Sequence, residues 1–172
     1  MGYRHSVSVS GVVFNAAIDA FLVIRRADNA VWEVPGGILE GNETIEAGLI
    51  REVLEETCVT VRPTRLTGVY KNMSMGYVAL VFSCELLSGE PCPTVESSEV
   101  KWMSLHEIRR QMCESMAQRV VDAHDADRPV IRHHDGRHLL TNENLSRTAG
   151  SSRPTKACLP TDDLARPREG RM

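Results

Sequence analysis

Gly37-Ile-Leu-Glu-Gly-Asn-Glu43, a gap of seven residues, and then Arg51-Glu52-Val53-Leu54-Glu55-Glu56-Thr57-Cys58-Val59 decide how this chain is read. From Thr44 to about Thr57 the apolar residues Ala47, Ile50 and Leu54 recur at helical spacing, and Thr44 is placed as an N-cap. The spacing predicts a helix. On it, Glu52 stands three and four residues before Glu55 and Glu56, so the three carboxylates project from one side. Like charges so placed cost about a few tenths of a kcal/mol per pair unless a cation neutralises them. Oxygen-only donors in this arrangement suit a hard cation, magnesium or manganese. Three glutamates alone are more often a solvated face, but their flanking residues favour the metal.

Immediately upstream lies Val31-Trp32-Glu33-Val34, a short extended piece stopped by Pro35-Gly36-Gly37. Pro35 fixes the backbone there, and the two glycines let it approach a ligand closely. Arg51 and Glu43 can pair between helix and loop, which would aim the carboxylate face. Further upstream, Ser6 to Ser10 alternates polar and apolar residues, with Val12-Val13-Phe14 following, as in a half-buried strand. Phe21-Leu22-Val23-Ile24 is a continuous apolar run, as in a strand covered on both faces.

Downstream, Val59 to Val69, Tyr77 to Leu87 and Val100 to Trp102 read as strands. Ser104-Leu105-His106-Glu107 has the capping-box form, and Leu105, Ile108, Met112, Met116 and Val120 predict a second helix to about His124. Val130-Ile131, Asp135-Gly136 and Leu139-Leu140 read as a small hairpin. Beyond Thr141, apolar residues thin out and Ser, Arg, Pro and Gly dominate. The expected organisation is a domain over residues 1–125, a hairpin extension over 126–140 and a disordered tail over 141–172. The fold class expected is mixed α/β, of the α+β kind.

The chain has 172 residues, 25% charged and 42% hydrophobic, enough for one sizeable core. A formal net charge of -3 gives no general attraction to nucleic acid or anionic lipid, so phosphate binding has to be local. The start lacks a signal-peptide layout and no apolar run reaches membrane-spanning length, so a cytoplasmic protein is expected, with neither nucleic-acid nor membrane partner. Five cysteines without a Cys-x-x-Cys pair fit neither a disulfide framework nor a thiolate zinc site, and are read as reduced thiols. His133, His134 and His138 are read as exposed hairpin residues and left out of the site.

The stretch from Gly37 to Val59 resembles the Nudix box, Gly-x5-Glu-x7-Arg-Glu-U-x-Glu-Glu-x-Gly-U with U bulky and aliphatic, at every fixed position except the last glycine, here Cys58. The resemblance runs from about Ser6 to His124. It implies an α/β/α sandwich with a mixed sheet, and MutT-like hydrolysis of a nucleoside diphosphate linked to another moiety. It also implies Mg2+, with Mn2+ as substitute, held by the Gly36 carbonyl, Glu52, Glu55 and Glu56, with Glu99 as a further acidic ligand. A water activated by the ions would attack phosphorus, with Glu52 or Glu55 as general base.

Glu43 and Arg51 complete the catalytic set, and Gly36, Gly37, Trp32 and Arg25 are substrate-binding candidates, although Trp32 and Arg25 are more commonly core and surface residues. Nucleoside triphosphates rank first as substrates, with ADP-ribose or dinucleoside polyphosphates second. Ser74 stands about where ADP-ribose pyrophosphatases carry a proline, and Tyr77 has the spacing of a tyrosine found in some diadenosine polyphosphate hydrolases. A nucleotide-sensing domain without catalysis is the rival reading, and a homodimer stays open. A glycine after a helix usually adopts the left-handed conformation, so Cys58 in its place is expected to bring strain of about 1 kcal/mol or a shifted helix end.

Overall fold

The structure is a computed structural model that describes residues 4–141. The tail expected from residue 141 onward lies, past that residue, outside the described residues.

Among the described residues, nine strands form one mixed sheet. They are β1 (Ser6–Asn15), β2 (Ala20–Arg26), β3 (Trp32–Glu33), β4 (Gly36–Ile38), β5 (Thr60–Asn72), β6 (Tyr77–Ser88), β7 (Ser97–Met103), β8 (Val130–His134) and β9 (Leu139–Leu140). The main path is β3-β2-β1-β6-β5-β8-β9, with β4 paired to β1 and β7 to β2. β1 runs parallel to β6, and β5 parallel to β8, whereas the other pairs are antiparallel. Three helices among the described residues cover the faces: α1 (Ile45–Thr57), α2 (Leu105–Gln111) and α3 (Glu114–Asp125).

Side-chain alternation divides the core in two. Val12, Phe21 and Val23 join Ile108, Met116 and Val120 on the α2–α3 side. Val9, Val13 and Leu22 join Leu49 and Val53 on the α1 side. Neighbouring residues of β1 and β2 thus serve opposite faces, which is why Phe21 to Ile24 is apolar without interruption. The α/β/α sandwich follows from that division.

Several expectations change. The second helix is two: Met112 and Cys113 are extended, with ψ of 154° and 157°. Behind the break, Ser115 donates its N–H to the Arg137 carbonyl and its hydroxyl to Gly136, tying α3 to the hairpin. The hairpin itself is present, but β8 adds to the sheet beside β5. That pairing buries His134 completely, against the exposed reading.

The buried face of α1 also differs. Gly48, Leu49, Glu52, Val53, Glu56 and Thr57 face inward, while Leu54 is 46% exposed and Ala47 is exposed. The carboxylates lie on the covered side because Gly36 and Gly37 meet them there.

The thiol reading fails at two positions, since Cys58 and Cys92 are joined by a disulfide with Cα atoms 5.7 Å apart. Cys92 donates its N–H to the Thr57 carbonyl at the end of α1, which brings the β6–β7 connection against the helix terminus. Cys84 is a free thiol, and burial pushes it up to about 12. Cys158 lies outside the described residues. No described helix is long and apolar enough to cross a membrane.

Candidate active site

Thr44 caps α1, its hydroxyl accepting the Ala47 N–H at 3.2 Å, so the helix begins where the loop from Glu40 to Glu43 ends. Glu43 turns back to accept the Glu40 N–H at 2.8 Å. From the next turn of the helix, Arg51 closes on Glu43 through Nε at 3.0 Å and Nη2 at 2.7 Å. Its Nη1 reaches Glu52 at 2.9 Å and Glu55 at 3.1 Å. One guanidinium therefore holds three carboxylates, and the repulsion expected between helix neighbours is offset within the chain. Hydrogen bonding to Glu43 raises the proton affinity of Arg51, and Arg51 in turn lowers that of Glu43.

The glycine pair stands against this face. β4 is bonded to β1 in the register Ser10↔Gly36 and Val9↔Gly37, and the Gly11 N–H donates to the Pro35 carbonyl at 2.9 Å. Gly36 has φ +153°, and a Cβ there would lie 2.1 Å from the Val9 carbonyl oxygen. A Cβ on Gly37 would lie 2.3 Å from Oε2 of Glu52. A side chain at Gly36 would collide with backbone, and one at Gly37 would displace the Glu52 carboxylate, so the two glycines let the backbone touch the carboxylates. The Gly36 N–H donates to Oε2 of Glu56 at 2.7 Å.

Glu52 is 8% exposed and Glu56 4%. Burial raises the pKa of Glu52, opposed by Arg51. Burial raises that of Glu56 further, with the Glu33 carboxylate adding to it. Glu33 is itself raised by burial, opposed by Arg26, which donates to it at 3.1 Å. Glu55, by contrast, faces solvent, with its side chain 49% exposed.

The expected residues Glu43, Arg51, Glu52, Glu55, Glu56, Gly36 and Gly37 thus meet in one place. Arg25, Trp32 and Glu99 form a separate rung across β3, β2 and β7. There Arg25 pairs with Glu99 at 2.6 Å, and the Lys101 ammonium sits 4.4 Å over the Trp32 ring. The acidic residue before β7 whose charge reaches Glu52 is Glu96. No group of three or more His, Cys, Asp or Glu stands in ligating geometry among the described residues. Arg51 lies between Glu52 and Glu55 and is their cation here.

Sequence reading missed Arg119, 4% exposed on α3, and Ser10, which lies 3.4 Å from its Nη1. An arginine among apolar helix positions was the available signal. It likewise missed the Arg26–Glu33 pair, whose partners are seven residues apart and meet only through the β2–β3 pairing.

A family model described as NUDIX domain matches residues 4–123. A MutT-like protein from Streptomyces ambofaciens is 49% identical over 136 residues, 79% of this chain and 88% of the relative. An ADP-ribose pyrophosphatase from Methanocaldococcus jannaschii is 29% identical over 114 residues, 62% of this chain and 66% of the relative. Among solved structures, a NUDIX hydrolase from Nitrosomonas europaea superposes with a TM-score of 0.66 at 25% identity, covering 77% of this chain and 82% of that one.

Proposed function

The chain belongs to the Nudix hydrolase family, and from that premise we propose that it hydrolyses a phosphoanhydride bond in a nucleoside diphosphate linked to another moiety, first of all a nucleoside triphosphate. The observation that carries this reading is the seating of Glu52 and Glu56 against Gly36 and Gly37, with Arg51 aiming the face.

The donor set fits Mg2+, with Mn2+ as substitute, because every donor is an oxygen. Burial drives Glu52 and Glu56 toward binding a proton, and a divalent ion meets the same demand. The carbonyl of Gly36 and the carboxylates of Glu52, Glu55 and Glu56 would hold it. Of the two acidic residues near β7, Glu96 is favoured over Glu99, which Arg25 already engages. The ion, when bound, supplies Lewis-acid stabilisation of the charge developing on the phosphates. Glu52 or Glu55 takes the proton from the attacking water. Arg51 and Glu43 keep those carboxylates aimed, and the glycine backbone admits the phosphate chain.

Arg25 and Trp32 would touch only the distal part of a substrate, with Lys101 displaced from the Trp32 ring. ADP-ribose is the second reading, favoured by the relative named an ADP-ribose pyrophosphatase, with dinucleoside polyphosphates beside it. A nucleotide sensor without turnover is disfavoured because the box carboxylates are all present.

The test is phosphate and pyrophosphate release from nucleoside triphosphates, ADP-ribose and dinucleoside polyphosphates with magnesium. Turnover of a triphosphate to the monophosphate is expected, lost with chelator and reduced about a hundredfold or more by Glu55→Gln. Tight nucleotide binding with no turnover across that panel would overturn the reading.

A further inference from the structure

We propose that Arg119 selects the base of the nucleotide, by presenting two parallel N–H groups to two adjacent acceptors on one edge of the ring. The proposal rests on the nucleotide reading above and adds the specificity device that the acidic face lacks.

A cleft open to solvent runs beside the glycine pair. Gly36, Gly37, Val34, Tyr77, Met116 and Arg119 line it, together with Ser8, Ser10 and Glu33. Arg119 stands in its wall, on α3, and is 4% exposed. Its Nη1 donates to the Ser10 hydroxyl at 3.4 Å, and its guanidinium carbon lies 5.4 Å from the centre of the Tyr70 ring. Nε and Nη2, both buried, have no hydrogen-bond partner among the described residues.

Those two nitrogens form the side-on fork of a guanidinium, the edge that binds planar acceptor pairs. Three other arginines among the described residues use that edge on carboxylates, and Arg26 places Nε and Nη2 on Asp28 at 2.9 and 3.0 Å. Arg51 places Nε and Nη2 on Glu43, and Arg132 places them on Asp122 at 2.6 Å each. In Arg119 the same edge is buried behind the wall of the cleft and has no acceptor among the described residues. Glu33, the carboxylate bordering the cleft, is engaged by Arg26. A buried fork without acceptors is costly, so a ligand that supplies them gains selectively.

The surrounding walls indicate which ligand. Val34, Tyr77 and Met116 are apolar and suit a planar ring, whereas a phosphate among them would lose hydration without further donors. The glycine pair joins the cleft to the acidic face, so a nucleotide with its phosphates at Glu52 and Glu56 can place its base here. Guanine offers adjacent acceptors at O6 and N7, and cytosine at O2 and N3. Adenine and uracil set a donor beside an acceptor on the corresponding edges.

The test is calorimetric titration of the full chain with GMP, CMP, AMP and UMP, in chelator, so that no turnover is needed. GMP and CMP are expected to bind about tenfold more tightly than AMP and UMP. Arg119→Met should remove that difference while changing AMP and UMP binding less than about threefold. Arg119→Lys keeps the charge without the fork, should lose the same discrimination, and serves if the methionine variant does not melt cooperatively. Equal binding of all four, binding of none, or inorganic phosphate binding as well as GMP with the same dependence on Arg119 would overturn the proposal. Because hydrolysis is not measured, these failures are distinct from failure of the hydrolase reading.

Discussion

Arg51 grips Glu43 across eight residues with two parallel bonds, and the same guanidinium touches Glu52 and Glu55. One side chain therefore ties the loop to the acidic helix face. Arg51→Lys keeps a charge but cannot fork, so it should lower kcat about tenfold to a hundredfold, with a higher magnesium requirement. Steady-state kinetics across a magnesium titration checks this; an unchanged magnesium dependence would speak against the aiming role.

The disulfide closes a loop with a sequence separation of 34 at the end of α1. Closing a loop of that length stabilises by about 3 to 4 kcal/mol, so reductant should lower the melting temperature by roughly 10 °C. Cys92→Ser should show the low value with or without reductant. Such a bond persists only in an oxidising setting, which makes the thiol state of this helix end depend on compartment.

Cys58 has φ 66° and ψ 10°, the left-handed conformation expected where the box has glycine. Cys58→Gly alone relieves that strain and loses the disulfide together. In the Cys92→Ser background only the strain remains, and Cys58→Gly should there raise stability by about 1 kcal/mol. Thermal denaturation of the pair decides it, and a fall in melting temperature would contradict the account.

Burial lowers the pKa of His134 from 6.5 to about 4, while its Nδ1 accepts the Gly136 N–H at 3.1 Å. A depressed pKa means the unfolded chain binds the proton first. The contribution is complete above about pH 6.5 and is lost as pH falls toward 4, about 3 kcal/mol in all. Urea unfolding from pH 7 to 4 should show that loss, and His134→Gln should flatten it.

Asp122, 4% exposed, accepts from the Tyr70 hydroxyl, both arms of Arg132, and Gln118, and so joins α3 to β5 and β8. Desolvation works against its charge, but Arg132, Tyr70 and Gln118 win and hold its pKa low. Asp122→Ala leaves the buried Tyr70 hydroxyl and the Arg132 fork unmatched and should cost about 3 kcal/mol or more. Chemical denaturation provides the measurement.

Local rules carried much of this. Thr44 and the Ser104–Glu107 capping box announce their helices, and Phe21 to Ile24 announces a strand covered twice, because each signal is written within a few residues. The box residues from Glu43 to Glu56 assemble on one helix and its adjoining loop for the same reason. Pairings made by tertiary contact were not legible: Arg25 with Glu99, Cys58 with Cys92, and Arg119 beneath Ser10 join residues far apart in the chain. The break at Met112 and Cys113 escaped because apolar spacing continues through it, and only the tie from Ser115 to the hairpin reveals the turn.

Helix α1 turns two acids inward and leaves Leu54 and Ile45 to water. A selection for folding strength alone would push this helix the other way, filling positions 52 and 56 with aliphatic residues and making its outer stripe polar. The first change would raise the melting point as it destroyed the site, and the second would leave the site intact. Engineering of robustness in this protein is therefore open at Leu54 and closed at Glu52, two residues on the same turn.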